Sequence, residues 1–216
     1  MGKVKAQISV SLDGYMAGPN QGQENPLGEG GEGLHEWAFR LSSWREPHER
    51  EGGDGDENPS NAVIEAAQAG TGAVVMGRRM FGPVRGPWTE PAWNGWWGEN
   101  PPYHTPVFVL THHEREPVEM DGGTTFHFVT EGLESAMGRA RDAAGEDDVS
   151  VGGGASTLQQ CLAAGLLDEI LVNQVPILLG GGERLFDNLP AGADGFELVD
   201  LVRGREVAHL TYSVGR

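Results

Sequence analysis

A triple glycine at residues 152–154 is the stretch of the sequence best suited to binding chemistry. Val149 and Val151 precede it and are typical of a short buried strand, and residues 155–164 follow with a helical pattern. Glycines let the backbone approach a ligand closely, and the first turn of a helix offers free N–H groups and the positive end of its dipole. This order of elements can hold a pyrophosphate. It is equally compatible with a plain strand-to-helix turn, so it does not decide the function alone.

A second glycine, Gly77, ends another predicted strand and is followed by Arg78 and Arg79. A guanidinium can bind two phosphate oxygens at once, which fits a second phosphate such as the 2′-phosphate of NADPH. Open α/β sheets bind ligands at the carboxyl ends of their strands, where both glycine sites would lie. Two solvated surface arginines are the alternative. The presence of both sites at one edge favours phosphate binding.

Short strands alternate with helices around these two sites. Residues 4–12 alternate apolar and polar side chains, as in a strand with one buried face. Further strands are predicted at residues 73–76, 107–110, 125–129, 149–151 and 169–175, helices at 34–44, 58–67, 133–144, 155–164 and 183–188, and a terminal hairpin at 196–202 and 206–213. This order predicts an α/β fold with a central, mostly parallel sheet flanked by helices and an antiparallel C-terminal hairpin.

The composition limits the class of protein. A chain of 216 residues is predicted to form a single domain, with an acidic loop insertion near residues 46–58. The net charge of −17 argues against a nucleic-acid surface, which needs clustered cations. No apolar run is long enough to cross a membrane, no signal-peptide core is present, and the single Cys161 excludes internal disulfides. We expect no nucleic-acid or membrane partner and a cytoplasmic location.

Two clusters superficially resemble metal sites. His112 and His113 are neighbours, but adjacent strand residues point to opposite sides and no third ligand has suitable spacing. The acidic residues 54–57 lack the ligand pattern of a calcium loop. No metal is predicted.

Four tryptophans lie in the irregular segment at residues 88–97. They could form a lid or stacking wall for a flat heterocycle. They could also be covered by a second subunit, and this interpretation is favoured.

Several motifs follow one another in a specific order: Ser-Leu-Asp-Gly-Tyr-Met-Ala at 11–17, Val-Met-Gly-Arg-Arg-Met-Phe at 75–81, Val-Phe-Val-Leu-Thr at 107–111, Val-Gly-Gly-Gly at 151–154, and Asp-Glu through Pro-Ile-Leu-Leu-Gly-Gly-Gly-Glu-Arg-Leu-Phe at 168–186. Together they resemble the dihydrofolate reductase-like superfamily, and more closely the free-standing relatives of the riboflavin-biosynthesis reductase domain. The order of the motifs along nearly the whole chain makes the resemblance specific. The Gly-x-Gly-x-x-Gly fingerprint of the ordinary dinucleotide-binding fold is absent near the N-terminus.

The resemblance implies NADPH lying across the strand ends, and a homodimer. It implies the following binding residues: Gly77, Arg78, Arg79 and Met80 at the adenosine phosphate, Thr111 and His112 along the adenosine, Gly153, Gly154, Ala155 and Ser156 at the pyrophosphate, Ala17 beside the nicotinamide, and Asn173, Leu179 and Gly180 towards the substrate.

Two carboxylates are candidates for a catalytic acid. Asp13 ends the first strand beside the expected nicotinamide pocket, and Glu36 lies on the helix where folate reductases keep their acidic residue. A turn-forming Asp-Gly and an exposed helical Glu are the alternatives. Hydride transfer depends on proximity and pose more than on an acid or base.

The leading hypothesis is an NADPH-dependent reductase of a small heterocyclic substrate, riboflavin-pathway-like or pterin-like. A nucleotide-binding protein without catalytic activity is the first alternative, because no acid is unmistakable. A true dihydrofolate reductase is the second, less favoured because the segment after Asp13 lacks a Trp-Pro-type substrate loop.

Overall fold

The computed structural model describes residues 2–45, 48, 55–83, 85–89, 93–190 and 195–215. Most of the acidic insertion predicted at 46–58, and residues 90–92 of the tryptophan-rich segment, lie outside the described residues. The strands are β1 (Val4–Ser11), β2 (Tyr15–Ala17), β3 (Thr71–Gly77), β4 (Pro106–Leu110), β5 (Val118–Glu119), β6 (Thr125–Val129), β7 (Asp148–Val151), β8 (Glu169–Val175), β9 (Glu183–Arg184), β10 (Phe196–Arg203) and β11 (Ala208–Val214). The α-helices are α1 (Glu36–Phe39), α2 (Ser42–Arg45), α3 (Pro59–Gln68), α4 (Arg78–Phe81), α5 (Leu133–Ala144) and α6 (Ala155–Ala163).

Nine of these strands form one sheet in the order β10-β11-β8-β1-β7-β3-β4-β6-β5. The six strands from β8 to β6 run parallel. The hairpin β10–β11 adds antiparallel strands beside β8, and β5 pairs antiparallel with β6 at the other edge. The predicted α/β fold, with its mostly parallel sheet and antiparallel C-terminal hairpin, is therefore confirmed. The strand β5 was not predicted.

The alternating apolar residues of β1 pack one face of the sheet against α5 and α6. Val4, Ala6 and Val10 join Met137 of α5 and Leu158 of α6 in the main core. Met137 and Leu158 are at most 1% exposed, and burying such a side chain contributes about 1.5–3 kcal/mol. The opposite face carries two smaller cores, one under α1 and α3 and one under α4 and the tryptophan-rich segment. Helices on both faces leave the strand ends as the exposed rim.

Two predicted helices are wrong. The helix at residues 34–44 is broken into α1 and α2, because the backbone of Leu41 and Ser42 pairs with Asp56: Ser42 N donates to Asp56 O at 3.3 Å. The helix at 183–188 is replaced by the short strand β9, which pairs with β2 in a two-stranded sheet. In both places a partner distant in sequence takes the backbone hydrogen bonds that a helix would have made for itself.

Candidate active site

The two predicted glycine sites meet at the carboxyl end of the parallel strands. Gly152 N donates to Val75 O at 2.9 Å, and Gly77 N donates to Gly153 O at 2.7 Å. A Cβ atom on Gly77 would lie 2.5 Å from Thr157 Oγ1, so the position accepts a side chain only if Thr157 moves. Gly153 has a φ of +102°, which favours glycine. The end of β3 and the turn after β7 therefore form one continuous surface.

Among the described residues, no side chain caps the N-terminus of α6. Its N-cap residue, Gly154, has no side chain that could cap the helix, and Gly154 O accepts the first helical bonds from Thr157 N at 3.0 Å and Leu158 N at 3.2 Å. Within the described residues, the amides of Ala155 and Ser156 have no acceptor, as is usual for a first helical turn. Those amides and the helix dipole remain free for an anion.

The two arginines after Gly77 take different positions. Arg79 forms an ion pair with Glu183 of β9, and Glu183 Oε2 lies 4.0 Å from where a Cβ on Gly154 would be. The Glu183 carboxylate therefore lies beside the glycine turn, paired with the Arg79 guanidinium. Arg78 points elsewhere: its Cζ lies 3.2 Å from the centroid of the Trp88 indole.

Met80 and the residues after β4 complete this part of the rim. The Met80 sulfur would lie 3.0 Å from a Cβ on Gly152, so its thioether packs on the glycine turn. Thr111 is buried, with its amide donating to Val129 O at 3.1 Å, whereas His112 is exposed. The structure thus places the predicted adenosine residues at the ends of the neighbouring strands β3 and β4.

Asp13 organises the loop after β8. Its Oδ1 accepts hydrogen bonds from Ser11 Oγ at 2.5 Å and Leu179 N at 3.2 Å, and its Oδ2 accepts one from Gly180 N at 2.8 Å. The hydrogen bond from Ser11, followed by those from Gly180 and Leu179, lowers the pKa of Asp13 to about 2. Such a carboxyl group is ionised at neutral pH. These contacts favour a positioning role for Asp13 over proton donation.

The second carboxylate, Glu36, lies on the surface of α1. It forms an ion pair with Arg40 at 3.8 Å, and Arg40 also bonds Glu206 in the β10–β11 turn. The Glu36 side chain is 64% exposed. None of the described contacts joins Glu36 to another predicted site residue. Its surroundings match the alternative interpretation, in which Glu36 is an exposed glutamate on a helix surface.

Asn173 belongs to a buried polar chain. It is 1% exposed, and its Oδ1 lies 2.7 Å from His209 Nδ1, while His209 Nε2 lies 2.8 Å from Ser60 Oγ. Trp37 packs edge-on against the same imidazole, with ring centroids 5.1 Å apart. Burial lowers the pKa of His209 to about 4, so the ring is neutral at physiological pH. The predicted substrate residue is thus fixed by a histidine from the C-terminal hairpin.

Ala17 is buried in β2, where it pairs with Glu183 of β9. This pairing joins the predicted nicotinamide residue to the carboxylate beside the glycine turn. Sequence reasoning did not single out Glu183 or His209, and it considered Trp88 only as one member of the tryptophan cluster. Glu183 stood in a quoted motif and Trp88 in the tryptophan cluster, but no pattern assigned them these contacts; His209 sits at a buried position of a strand and carried no signal.

The described part of the chain holds neither a metal-ligand cluster nor an ionised thiol. No group of three or more His, Cys, Asp or Glu side chains there could hold a metal ion. Burial raises the pKa of the Cys161 thiol to about 12, so it is not a nucleophile at neutral pH. Nor does any helix among these residues have the length and apolar character needed to span a membrane.

A protein-family comparison matches residues 2–211 to the RibD C-terminal domain. No curated protein sequence matches the chain.

Solved structures share the fold over the whole chain. A Shewanella protein assigned to riboflavin biosynthesis is 22% identical with a TM-score of 0.62, covering 99% of both chains. Enterococcus faecalis dihydrofolate reductase, complexed with NADP(H) and RAB-propyl, is 13% identical with a TM-score of 0.53, covering 100% of this chain and 98% of that one. The diaminohydroxyphosphoribosylaminopyrimidine deaminase/5-amino-6-(5-phosphoribosylamino)uracil reductase of Thermotoga maritima is 15% identical with a TM-score of 0.59; the match covers 99% of this chain and 57% of that longer one.

Proposed function

Because the chain belongs to the RibD C-terminal domain family, we propose that it is a reductase that transfers a hydride from NADPH to a small heterocyclic substrate. The observation that carries the proposal is the uncapped N-terminus of α6 facing the bare backbone of Gly77. The free amides of Ala155 and Ser156 suit a pyrophosphate, and the absence of side chains at Gly77, Gly153 and Gly154 leaves it room. The residues present therefore fit the dinucleotide.

The adenosine half would extend along the ends of β3 and β4. Arg78 and Arg79 provide the cations for a 2′-phosphate, and Thr111 and His112 follow the neighbouring strand. Arg79 has to exchange Glu183 for the phosphate. The distinction between NADPH and NADH would then depend on these two guanidiniums.

The nicotinamide and the substrate would lie on the other side of the glycine turn. Ala17 of β2 borders this region, and Asp13 holds the backbone of Leu179 and Gly180. When bound, the cofactor supplies the hydride. The chain's own contribution is to hold the two rings in contact and exclude water. With Asp13 ionised, a proton needed by the reduced substrate would come from solvent.

The name of the Thermotoga relative, a 5-amino-6-(5-phosphoribosylamino)uracil reductase, guides the choice of substrates. We propose a heterocycle of the pyrimidine or pterin kind. Dihydrofolate is included because the E. faecalis dihydrofolate reductase shares the fold.

Calorimetric titration with NADPH and NADH tests the cofactor, and loss of the NADPH absorbance with a panel of pyrimidines, pterins and dihydrofolate tests the reaction. We expect binding of NADPH at sub-millimolar concentration, weaker binding of NADH, and turnover of at least one heterocycle. The variant Arg79→Ala should weaken NADPH more than NADH. Absence of NADPH binding would remove the proposal, and binding without any turnover would favour the nucleotide-binding protein that does no chemistry.

A further inference from the structure

A tryptophan lies between the two segments expected to bracket the adenosine. Arg78 follows β3 and His113 follows β4 closely, and these strands are neighbours in the sheet. Trp88 contacts both: the Cζ of Arg78 lies 3.2 Å from the centre of its indole, and its Nε1 donates a 3.0 Å hydrogen bond to His113 O. The indole therefore bridges the segments that follow two neighbouring strands, on the rim where α/β sheets bind ligands.

Arg78 is left unsatisfied in this arrangement. Within the part of the chain that the structure describes, its Nε and both Nη atoms are buried and have no hydrogen-bond partner. Burial, and then the nearby charge of Arg115, lower the pKa of Arg78 to about 10, so the group is still charged at neutral pH. A buried charged group without acceptors is unfavourable, and a phosphate would supply acceptors of the right geometry. The stack on Trp88 thus holds Arg78 away from the kind of partner that its donors require.

The side chains around the Trp88 indole can pack in the same way on any flat aromatic group made of two fused rings. Phe81 and Phe128 meet it edge-on, with ring centroids 5.9 Å and 4.9 Å away, and the Cζ of Arg115 lies 4.8 Å from its centre. A purine has a five-membered ring fused to a six-membered ring, as an indole does. Guanidinium groups and aromatic edges pack on nucleobases as they do on aromatic side chains.

We propose that Trp88 occupies the adenine position of the dinucleotide site and sets the affinity for the adenosine half by competing for that position. The inference rests on the proposed function. The glycine turn follows β7, and β4 is two strands away, or about 10 Å at a spacing of about 4.8 Å per strand. One ribose can bridge a pyrophosphate at α6 and a base at the end of β4. When the adenine enters, the indole leaves and Arg78 is free to bind the 2′-phosphate.

The test is calorimetric titration of the wild-type chain, Trp88→Ala and Trp97→Ala. Trp97 is the matched control, since it packs on Tyr103 and Phe126 in the same aromatic cluster. When the indole competes for the adenine position, the apparent affinity equals the intrinsic affinity multiplied by the fraction of molecules in which that position is open. We expect Trp88→Ala to bind NADPH and adenosine 2′,5′-bisphosphate about tenfold more tightly. Trp97→Ala should bind both as the wild type does, and reduced nicotinamide mononucleotide should bind equally to all three.

Unchanged or weaker binding of NADPH by Trp88→Ala, with the wild type binding normally, would overturn this inference and leave the proposed function intact. Failure of all three proteins to bind NADPH would remove both. If Trp88→Ala does not fold, the indole N–H signals of the wild type can be followed by NMR, with Trp88 assigned from Trp88→Phe. Adenosine 2′,5′-bisphosphate should shift the Trp88 signal and accelerate its hydrogen exchange; a protected, unshifted signal would contradict the proposal.

Discussion

His209 is 1% exposed, and both of its ring nitrogens have partners. The contacts are satisfied by a neutral ring that donates from Nδ1 to Asn173 Oδ1 and accepts at Nε2 from the Ser60 hydroxyl. Protonation would place a charge in a site without a carboxylate partner among these contacts, which is why burial lowers the pKa to about 4. The residue therefore couples folding to pH.

The direction in which stability changes with pH follows from the folded and unfolded pKa values of His209. A histidine has a pKa of about 6.5 when unfolded, so between about pH 6.5 and pH 4 the unfolded chain binds more protons, and stability falls as the pH falls. From pH 6.5 to pH 5 the loss attributable to His209 should be roughly 1.5 kcal/mol. Urea unfolding of the wild type and His209→Gln at both values measures it. The variant should be less stable than the wild type at neutral pH, but its free energy of unfolding should fall less on acidification. An equal fall in both proteins would contradict the lowered pKa of His209.

Glu183 places a negative charge where the proposed function needs a phosphate. Its carboxylate is paired with Arg79 and lies beside Gly154. The variant Glu183→Gln should bind NADPH about three- to tenfold more tightly, because one repulsive charge is removed and Arg79 is released. Calorimetry at low salt measures this, with Glu169→Gln, which releases Lys3 at the amino ends of the strands, as the control. Weaker binding in Glu183→Gln would show that the ion pair helps to hold the cofactor.

At the level of elements, the contact between β3 and α6 decides the shape of the glycine surface. Gly77 has an ordinary φ of −80°, so alanine there is excluded by space and not by backbone conformation. The Cβ would lie 2.5 Å from Thr157 Oγ1. Gly77→Ala should therefore shift the start of α6, lower the free energy of unfolding by about 1–3 kcal/mol and weaken NADPH binding.

The double variant Gly77→Ala/Thr157→Ala removes the clashing oxygen and should recover most of the lost stability. Gly138→Ala in α5 is the control, since a Cβ there meets nothing within 4 Å and should stabilise the helix slightly. Chemical denaturation and NADPH titration measure the set. A Gly77→Ala protein with unchanged stability and NADPH affinity would show that β3 and α6 are not closely packed.

Elements with strong local patterns were predictable from the sequence. The helix predicted at 133–144 is α5, and the glycine turn follows β7 as expected, because burial periodicity and glycine conformation are local properties. The break between α1 and α2, and the β2–β9 pairing, depend on partners far along the chain, which no local pattern contains. The same reason explains the site: the glycine surface was predicted, whereas the Arg79–Glu183 pair and the Trp88–Arg78 stack were not.

At the scale of the whole molecule, the charge of the chain opposes its proposed ligand. The net charge is −17, and the only two lysines, Lys3 and Lys5, pair with Glu169 and Asp148 at the amino ends of the strands. The cations of the proposed site are arginines at the opposite ends of the strands. An approaching dinucleotide therefore meets a repulsive long-range field and an attractive site only at close range.

Salt should consequently accelerate association. The screening length falls from about 30 Å at 0.01 M to about 8 Å at 0.15 M ionic strength, which removes the long-range repulsion but leaves contacts at the rim largely intact. Stopped-flow quenching of tryptophan fluorescence by NADPH should show an association rate constant that rises several-fold over this range, with a smaller rise for NADH because it carries less charge. Dissociation should also become faster, since the phosphate–arginine contacts are partly screened. An association rate constant that falls with salt would mean that the arginines at the strand ends, and not the net charge, control the approach of the cofactor.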